Sequence, residues 1–270
     1  MSAGGRSHTA PPHPDRQPMS LPRLAEMKAK GEPIVMVTAY DYPSATVAEA
    51  AGVDIVLVGD SAAMVVLGYA GTEPVSMEEM IVLGKAVRRG LKTPLMVGDM
   101  PMGSYESSNE LAVQNAQRLV KETGCQVVKL EAGGIAVERA RAIVRSGIPV
   151  MGHVGLTPQT ATALGGYKAQ GKTAQGAIKL CEDALALQSV GCFAIVFEAV
   201  PAAITEAIVE KLEVPTIGIG AGPSTTGQVL VFHDLLGITT GRMAKFVKRY
   251  ANVHDEMVEA VSRYGEEVRS

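Results

Sequence analysis

Polar and ionisable residues recur in this sequence at one kind of place, the end of a short apolar run. Asp60 and Ser61 follow Leu57-Val58-Gly59, and Asp99 follows Met96-Val97-Gly98. Lys129 and Glu131 close the run Val128-Lys129-Leu130-Glu131. His153 follows Met151-Gly152, and Glu198 follows Val196-Phe197. Carboxylates drawn together repel, by roughly 4 kcal/mol for a pair about 4 Å apart at an effective dielectric near 20. A divalent cation removes that penalty. Oxygen-only donors such as Asp60, Asp99 and Glu131 favour Mg²⁺ or another hard cation over zinc. Lys129 and Glu131 are two apart on a strand, so their side chains leave the same face. A cation and a carboxylate side by side suit an anionic, oxygenated substrate such as a 2-keto acid. The metal would chelate its carbonyl and carboxylate, and Lys129 would offset negative charge.

Taken singly, each residue has an ordinary reading. An Asp or Ser after a strand often caps the next helix. His153 alone reads as a hydrogen-bonded structural histidine, Lys129 and Glu131 as a surface ion pair, and Glu198 as the start of a helix before Val200-Pro201. The recurrence at five strand ends is what points to a shared site. The segment Gly218-Ile219-Gly220-Ala221-Gly222 stays open between a phosphate cradle and a tight turn. No Walker Lys-Ser/Thr follows it, and its glycines do not match a dinucleotide fingerprint.

The elements that must position these residues are legible as repeats of β-branched run, loop and helical pattern. The runs are Ile34–Thr38, Asp54–Val58, Pro94–Val97, Gln126–Leu130, Ile148–Met151, Phe193–Phe197 and Val214–Ile219. They are apolar throughout rather than alternating, as parallel strands covered on both faces must be. Between them, Ala112, Ala116, Leu119 and Val120 share one helix face, and Ala177, Leu180, Ala184, Leu185 and Leu187 another. Thr205–Leu212 is a short amphipathic piece. Gly52, Gly90, Gly124, Gly147 and Gly191 each precede the next strand, where a left-handed residue commonly closes a helix. Seven such units imply either a doubly wound sheet or an eight-stranded barrel. A barrel gathers all the strand ends on one face, whereas an open sheet spreads them along an edge. Val229–Phe232 is the candidate eighth strand, and reads equally as the start of a helix. Arg242–Val268 reads as one or two amphipathic helices packed outside the barrel or on a partner subunit.

Composition sets limits around this pattern. The chain has 270 residues and a formal net charge of -3, with 47% apolar and 20% charged residues. That balance excludes a nucleic-acid protein with a phosphate-neutralising basic face, and disorder of the whole chain. No apolar run approaches the roughly 18 residues of a membrane span. Three cysteines without CxxC spacing argue for reduced thiols in the cytoplasm rather than a disulfide scaffold or zinc knuckle. Residues 1–20 are polar and rich in Pro, Gly and Ser. They predict a flexible arm with no secretory signal, in which His8 and His13 are simply solvated. Residues 21–270 form one domain in this reading.

The order and content of several motifs resemble the ketopantoate hydroxymethyltransferase family. The matching segments are Val37-Thr38-Ala39-Tyr40-Asp41-Tyr42, Leu57-Val58-Gly59-Asp60-Ser61, Val87-Arg88-Arg89-Gly90 and Val128-Lys129-Leu130-Glu131. They continue through Gly152-His153-Val154-Gly155-Leu156-Thr157-Pro158-Gln159, Gly165-Gly166-Tyr167-Lys168-Ala169-Gln170-Gly171, Glu198-Ala199-Val200-Pro201 and Gly218-Ile219-Gly220-Ala221-Gly222. The resemblance spans about residues 22–255. Gly98-Asp99-Met100-Pro101-Met102 has Gly and Met where the family often has Ala and Leu-Pro-Phe, and these swaps leave Asp99 in place.

The resemblance implies a (β/α)8 TIM barrel of the phosphoenolpyruvate/pyruvate superfamily, assembled as a homodecamer. It implies transfer of a hydroxymethyl group from 5,10-methylenetetrahydrofolate to 3-methyl-2-oxobutanoate, forming 2-dehydropantoate through a metal-stabilised enolate. By motif match, Asp60, Asp99 and Glu131 correspond to the Mg²⁺ site. Asp60, Ser61, Asp99 and Lys129 correspond to the keto-acid contacts, with His153 in the site and Glu198 as catalytic base. Two rivals are weighed against this. A lyase of the same superfamily usually carries a Lys-Lys-Cys-Gly-His-type loop, and this sequence has none. A non-catalytic, metabolite-binding barrel would not need carboxylates at every expected strand end.

Overall fold

The computed structural model describes residues 16–131, 134–161, 163, 165–241 and 243–270. Eight strands form the core: β1 Ile34–Thr38, β2 Ile55–Val58, β3 Leu95–Asp99, β4 Val127–Glu131, β5 Val150–Gly155, β6 Ala194–Glu198, β7 Thr216–Ile219 and β8 Gly227–Leu230. All pair in parallel and in sequence order, and β8 pairs with β1 to close a barrel. Helices stand between successive strands except β7 and β8, which a loop joins, so the fold is the expected (β/α)8 barrel rather than an open sheet.

Side-chain alternation divides the strands' residues between two layers. Ile34, Met36, Ile55, Leu57, Leu95, Val97, Val127 and Met151 point inward, where Leu24 and Met27 of α1 (Leu21–Lys30) join them. Val56, Val58, Met96, Val128, Leu130 and Phe197 point outward against the helices. Those helices are α2 Tyr42–Ala50, α3 Ala62–Val65, α4 Met77–Gly90, α5 Asn109–Thr123, α6 Ala136–Arg145, α7 Ala174–Ser189 and α8 Ala202–Val209. After β8 come α9 Phe232–Leu235 and α10 Val253–Arg269. Their starts follow local chemistry. Asp41 with Ser44, and Ser76 with Glu79, form reciprocal capping boxes on α2 and α4.

Several boundaries differ from the expectation, each for a physical reason. Strands β3 to β6 run past the apolar stretches and take Asp99, Glu131, His153 and Glu198 into the ladder. Glu131 stands in register with His153, and Gly155 with Glu198. The eighth strand starts at Gly227, not Val229, and Phe232 begins a helix. A Cβ at Gly227 would lie 2.3 Å from the Ile34 carbonyl oxygen, so close approach to β1 demands glycine where a sequence reads a turn. Gly90 differs from the other helix-closing glycines. Its φ is not positive, and a Cβ there would lie 2.7 Å from that of Ala45, so it serves the contact between α4 and α2. Leu185 is exposed, outside the α7 core stripe. The C-terminal helix begins at Val253, not at residue 242, which lies outside the described residues.

Most of the expected arm, residues 1–15, also lies outside the described residues. From Arg16 the chain is held to the barrel. Arg16 Nη2 is 2.5 Å from Asp54 Oδ1, and Met19 N donates to Thr93 O at 2.7 Å. Among the described residues no helix is long and apolar enough to cross a membrane, and the three cysteines are free.

Candidate active site

The inward face changes character along each strand. On β4, Val127 lies in the apolar layer, while Lys129 and Glu131, on the same face, reach the C-terminal mouth. On β5, Met151 gives way to His153, and on β3, Val97 gives way to Asp99. Asp60, Asp99, Lys129, Glu131 and His153 are all buried at this mouth. Glu198, at the end of β6, stands beside them. The structure thus gathers Asp60, Asp99, Lys129, Glu131, His153 and Glu198 in one place, with Ser61 directly after Asp60; His8 and His13 lie outside the described residues.

The contacts decide between the ordinary readings and a site. Lys129 is no surface residue, and its partner is not Glu131. Its Nζ lies 2.8 Å from Asp99 Oδ1, a buried ion pair. Asp60 does not cap α3 with its side chain. Its Oδ2 accepts from Gln159 Nε2 at 2.9 Å, and its backbone N–H donates to Asp99 Oδ2 at 3.1 Å. Ser61 makes no side-chain cap either, and its Oγ lies 2.8 Å from the Tyr40 hydroxyl. His153 sits between two carboxylates, with Nε2 3.3 Å from Glu198 Oε2 and Nδ1 3.8 Å from Glu131 Oε1. Neither ring nitrogen has an aligned hydrogen-bond partner. Ala199, directly after Glu198, has φ 49, a rare conformation for a residue with a Cβ. It is tied on both sides, its N–H donating to Ile219 O and its carbonyl accepting from Gln170 N, each at 2.9 Å.

Four carboxylates facing one ammonium leave excess negative charge, and the titration behaviour records it. Burial, and then the charge of Asp99, push the Asp60 carboxyl up to about 7. Burial and Asp60 likewise push Glu131 well above the usual carboxylate range. Burial alone would lower Lys129, but Asp99, Asp60 and Glu131 outweigh it and keep the ammonium charged. Burial and Lys129 push His153 down, so its ring is neutral at pH 7.

The donor set is all oxygen, and one of its oxygens, Asp99 Oδ1, already faces the Lys129 ammonium at 2.8 Å. Among the described residues, no three His, Cys, Asp or Glu side chains already form a metal cage. Asp60, Asp99 and Glu131 are oxygen donors of the kind Mg²⁺ takes, but in this structure they are not grouped closely enough to hold an ion as a set of three.

Sequence reasoning missed three contributors. Gln159, in a 3₁₀ turn over Pro158–Thr160, holds Asp60 and Glu131. Tyr105 donates to Gln159 Oε1 at 2.7 Å. Neither lies at a strand end, so spacing gives no signal for them. Tyr40 lies two residues beyond β1, where the strand-end rule could have found it. Gly218 and Ile219 end β7, and the chain bends from Gly220 onward. Gly220 and Gly222 have positive φ, and Gln228 Nε2 donates back to Gly222 O at 3.0 Å.

Comparison with known proteins agrees with this geometry. Among solved structures, a phosphonopyruvate hydrolase in complex with oxalate and Mg²⁺ superposes with a TM-score of 0.62 at 13% identity, covering 93% of this chain and 87% of its own. A 2,3-dimethylmalate lyase of the PEP mutase/isocitrate lyase superfamily gives 0.55 at 14% identity, covering 77% and 80%. These likenesses establish the barrel type. In sequence, a 3-methyl-2-oxobutanoate hydroxymethyltransferase from Carboxydothermus hydrogenoformans is 53% identical over 251 residues, 93% of this chain and 91% of the relative. The mitochondrial 3-methyl-2-oxobutanoate hydroxymethyltransferase 1 of Arabidopsis thaliana is 49% identical over 95% of this chain and 76% of its own. The family model described as ketopantoate hydroxymethyltransferase matches residues 18–270. With nearly the whole barrel matched, this chain belongs to the ketopantoate hydroxymethyltransferase family.

Proposed function

We propose that this protein transfers a hydroxymethyl group from 5,10-methylenetetrahydrofolate to 3-methyl-2-oxobutanoate, forming 2-dehydropantoate for pantothenate and coenzyme A synthesis. The observation that carries the reading is the convergence of Asp60, Asp99, Lys129, Glu131 and Glu198 on one barrel mouth in a chain of this family. Lys129 and Ser61 receive the anionic keto acid. Glu198 removes the C3 proton. Its side chain is 18% exposed against 3% for His153, so a substrate in the mouth meets the carboxylate first. His153, 3.3 Å away, is placed to orient that carboxylate. The carbanion at C3, delocalised into the neighbouring carbonyl as an enolate, attacks the one-carbon unit. Water supplies the hydroxyl oxygen, and tetrahydrofolate leaves. Mg²⁺ or another hard cation at Asp60 and Asp99, with Glu131 beside them, would supply Lewis-acid stabilisation of the enolate charge.

The test follows 3-methyl-2-oxobutanoate by NMR in deuterated buffer. The expected result is Mg²⁺-dependent loss of the C3 proton without folate, and 2-dehydropantoate only when 5,10-methylenetetrahydrofolate is added. A protein that binds the keto acid yet exchanges nothing would be a metabolite-binding barrel instead.

The same reading takes the working form to be a cytoplasmic homo-oligomer, the decamer that the resemblance implies. Helix α10 supports self-association: none of its residues is buried, and Met257, Val261, Tyr264 and Val268 form one exposed apolar stripe. Sedimentation of the full chain, and of a chain ending at Asn252, should show a large assembly for the first and a smaller one for the second.

A further inference from the structure

The buried carboxamide of Gln159 uses its polar atoms in a closed set of bonds. Its Nε2 donates to Asp60 Oδ2 at 2.9 Å and to the Met100 carbonyl at 3.0 Å. Its Oε1 accepts from the Tyr105 hydroxyl at 2.7 Å. Its backbone N–H donates to Glu131 Oε2 at 3.0 Å. The orientation of the amide is forced. The Met100 carbonyl only accepts, so it must face the NH₂ end, and Tyr105 must then donate to the oxygen. One residue in the turn after β5 therefore grips the ends of β2 and β4, while resting on the chain just beyond β3.

We propose that Gln159 is the positioning residue of this site, and that Tyr105 acts through it. The clasp engages one oxygen of each carboxylate, Oδ2 of Asp60 and Oε2 of Glu131. That leaves Asp60 Oδ1 outside the clasp, available to substrate or its counter-cation, and Glu131 Oε1 facing His153 Nδ1 at 3.8 Å. Without the clasp both carboxylates can rotate about their terminal torsions, and their mutual repulsion favours turning apart. The idea deepens the proposed function and rests on it for the identity of the substrate. The clasp itself is a statement about geometry.

The experiment compares wild type, Gln159→Met, Tyr105→Phe and the double variant. Each is measured for keto-acid C3 exchange with Mg²⁺, for Mn²⁺ affinity by electron paramagnetic resonance without substrate, and for thermal midpoint. Groups that orient metal-binding carboxylates typically change affinity or activity by about 10- to 100-fold. Gln159→Met should lose about that much in both exchange and Mn²⁺ affinity, and Tyr105→Phe about 5-fold. Because Tyr105 works through Gln159, the double variant should be no worse than Gln159→Met alone. A merely structural role lowers the thermal midpoint while leaving exchange and Mn²⁺ affinity per folded molecule unchanged, and that result overturns the proposal. Losses that multiply in the double variant overturn the link through Tyr105. Should Gln159→Met fail to fold, Tyr105→Phe carries the test, and wild-type Mn²⁺ affinity in it overturns the clasp. Wild type that exchanges no proton defeats the proposed function. The Mn²⁺ affinities then still judge the clasp, and equal values defeat it.

Discussion

The floor and the mouth of this barrel are built on the same strands and the same inward face, yet they do opposite things. At the floor, Ile34, Met36, Val127 and Met151 close around Leu24 and Met27 of α1. Two residues further along β5, and two and four along β4, the same face carries His153, Lys129 and Glu131. Burying a large apolar side chain stabilises by about 1.5–3 kcal/mol. Burying unpaired charge costs several kcal/mol, and here it leaves two carboxyls that resist ionisation. The floor therefore provides the stability that the mouth draws on. Substitutions at the two ends should separate into losses of rate and losses of stability.

The largest effect should come from Glu198→Gln, which removes the base but keeps the shape. General-base catalysis contributes about 10²–10⁴-fold, so C3 exchange should fall by about 10³-fold while the thermal midpoint moves by a few degrees at most. NMR exchange rates and calorimetry on the same sample check it. Normal exchange in this variant would remove Glu198 from its role and the sharpest contrast with the floor. The mirror experiment is Met151→Ala, on the face of His153 but two residues below it. A core Met→Ala truncation costs about 2–5 kcal/mol. Urea unfolding should show a loss in that range, with exchange per folded molecule within about 3-fold of wild type. A large rate loss with little loss of stability would mean that the two layers are not separable.

Smaller, and opposite in sign to ordinary acid denaturation, is the pH response of the metal-free protein. The Asp60 carboxyl is raised to about 7 in the fold, against the usual value near 3.8. Between those pH values the folded protein holds a proton that the unfolded chain has lost, so stability falls as pH rises from about 4 to 7. His153 is lowered, so its contribution rises as pH climbs through the range below 6.5. Glu131, also raised by burial, adds to that fall, and His153 offsets part of it. In Asp60→Asn, thermal midpoints across pH 4–8 should show the falling part shrink to what Glu131 contributes, while the His153 rise remains. An unchanged profile would show that the mouth is more hydrated than its burial suggests.

This contrast also explains what was legible beforehand. The floor writes itself in the sequence as apolar runs, because a strand covered on both faces admits little else. The mouth's charged residues were legible because β-strand ends break those runs abruptly, as at Asp99 and Glu131. Two kinds of feature escaped. The ladder continues through polar residues, so β3 to β6 each end later than the apolar runs. The supports of the site, Gln159 and Tyr105, come from irregular segments whose positions follow from closure of the barrel and from no periodicity. The start of β8 escaped for a related reason: Gly227, two residues before the expected Val229, serves a close approach to Ile34, which is a tertiary fact.

The smallest predicted effect tests whether the two ends are independent. Ser20 caps α1, its Oγ accepting from Arg23 N at 3.3 Å. Helix α1 in turn holds Leu24 and Met27 against the floor, at the opposite end of the barrel from Asp60 and Glu131. Removing an N-cap costs about 1 kcal/mol, which in a domain of this size lowers the thermal midpoint by about 2–4 °C. Ser20→Ala should therefore melt slightly earlier and keep wild-type KM and kcat for the keto acid below that temperature. The barrel walls between are closely packed aliphatic layers, which pass on strain only when a side chain loses its place, and a weakened cap displaces none. A change in KM with Ser20→Ala would show that the floor sets the geometry of the mouth as well as its stability.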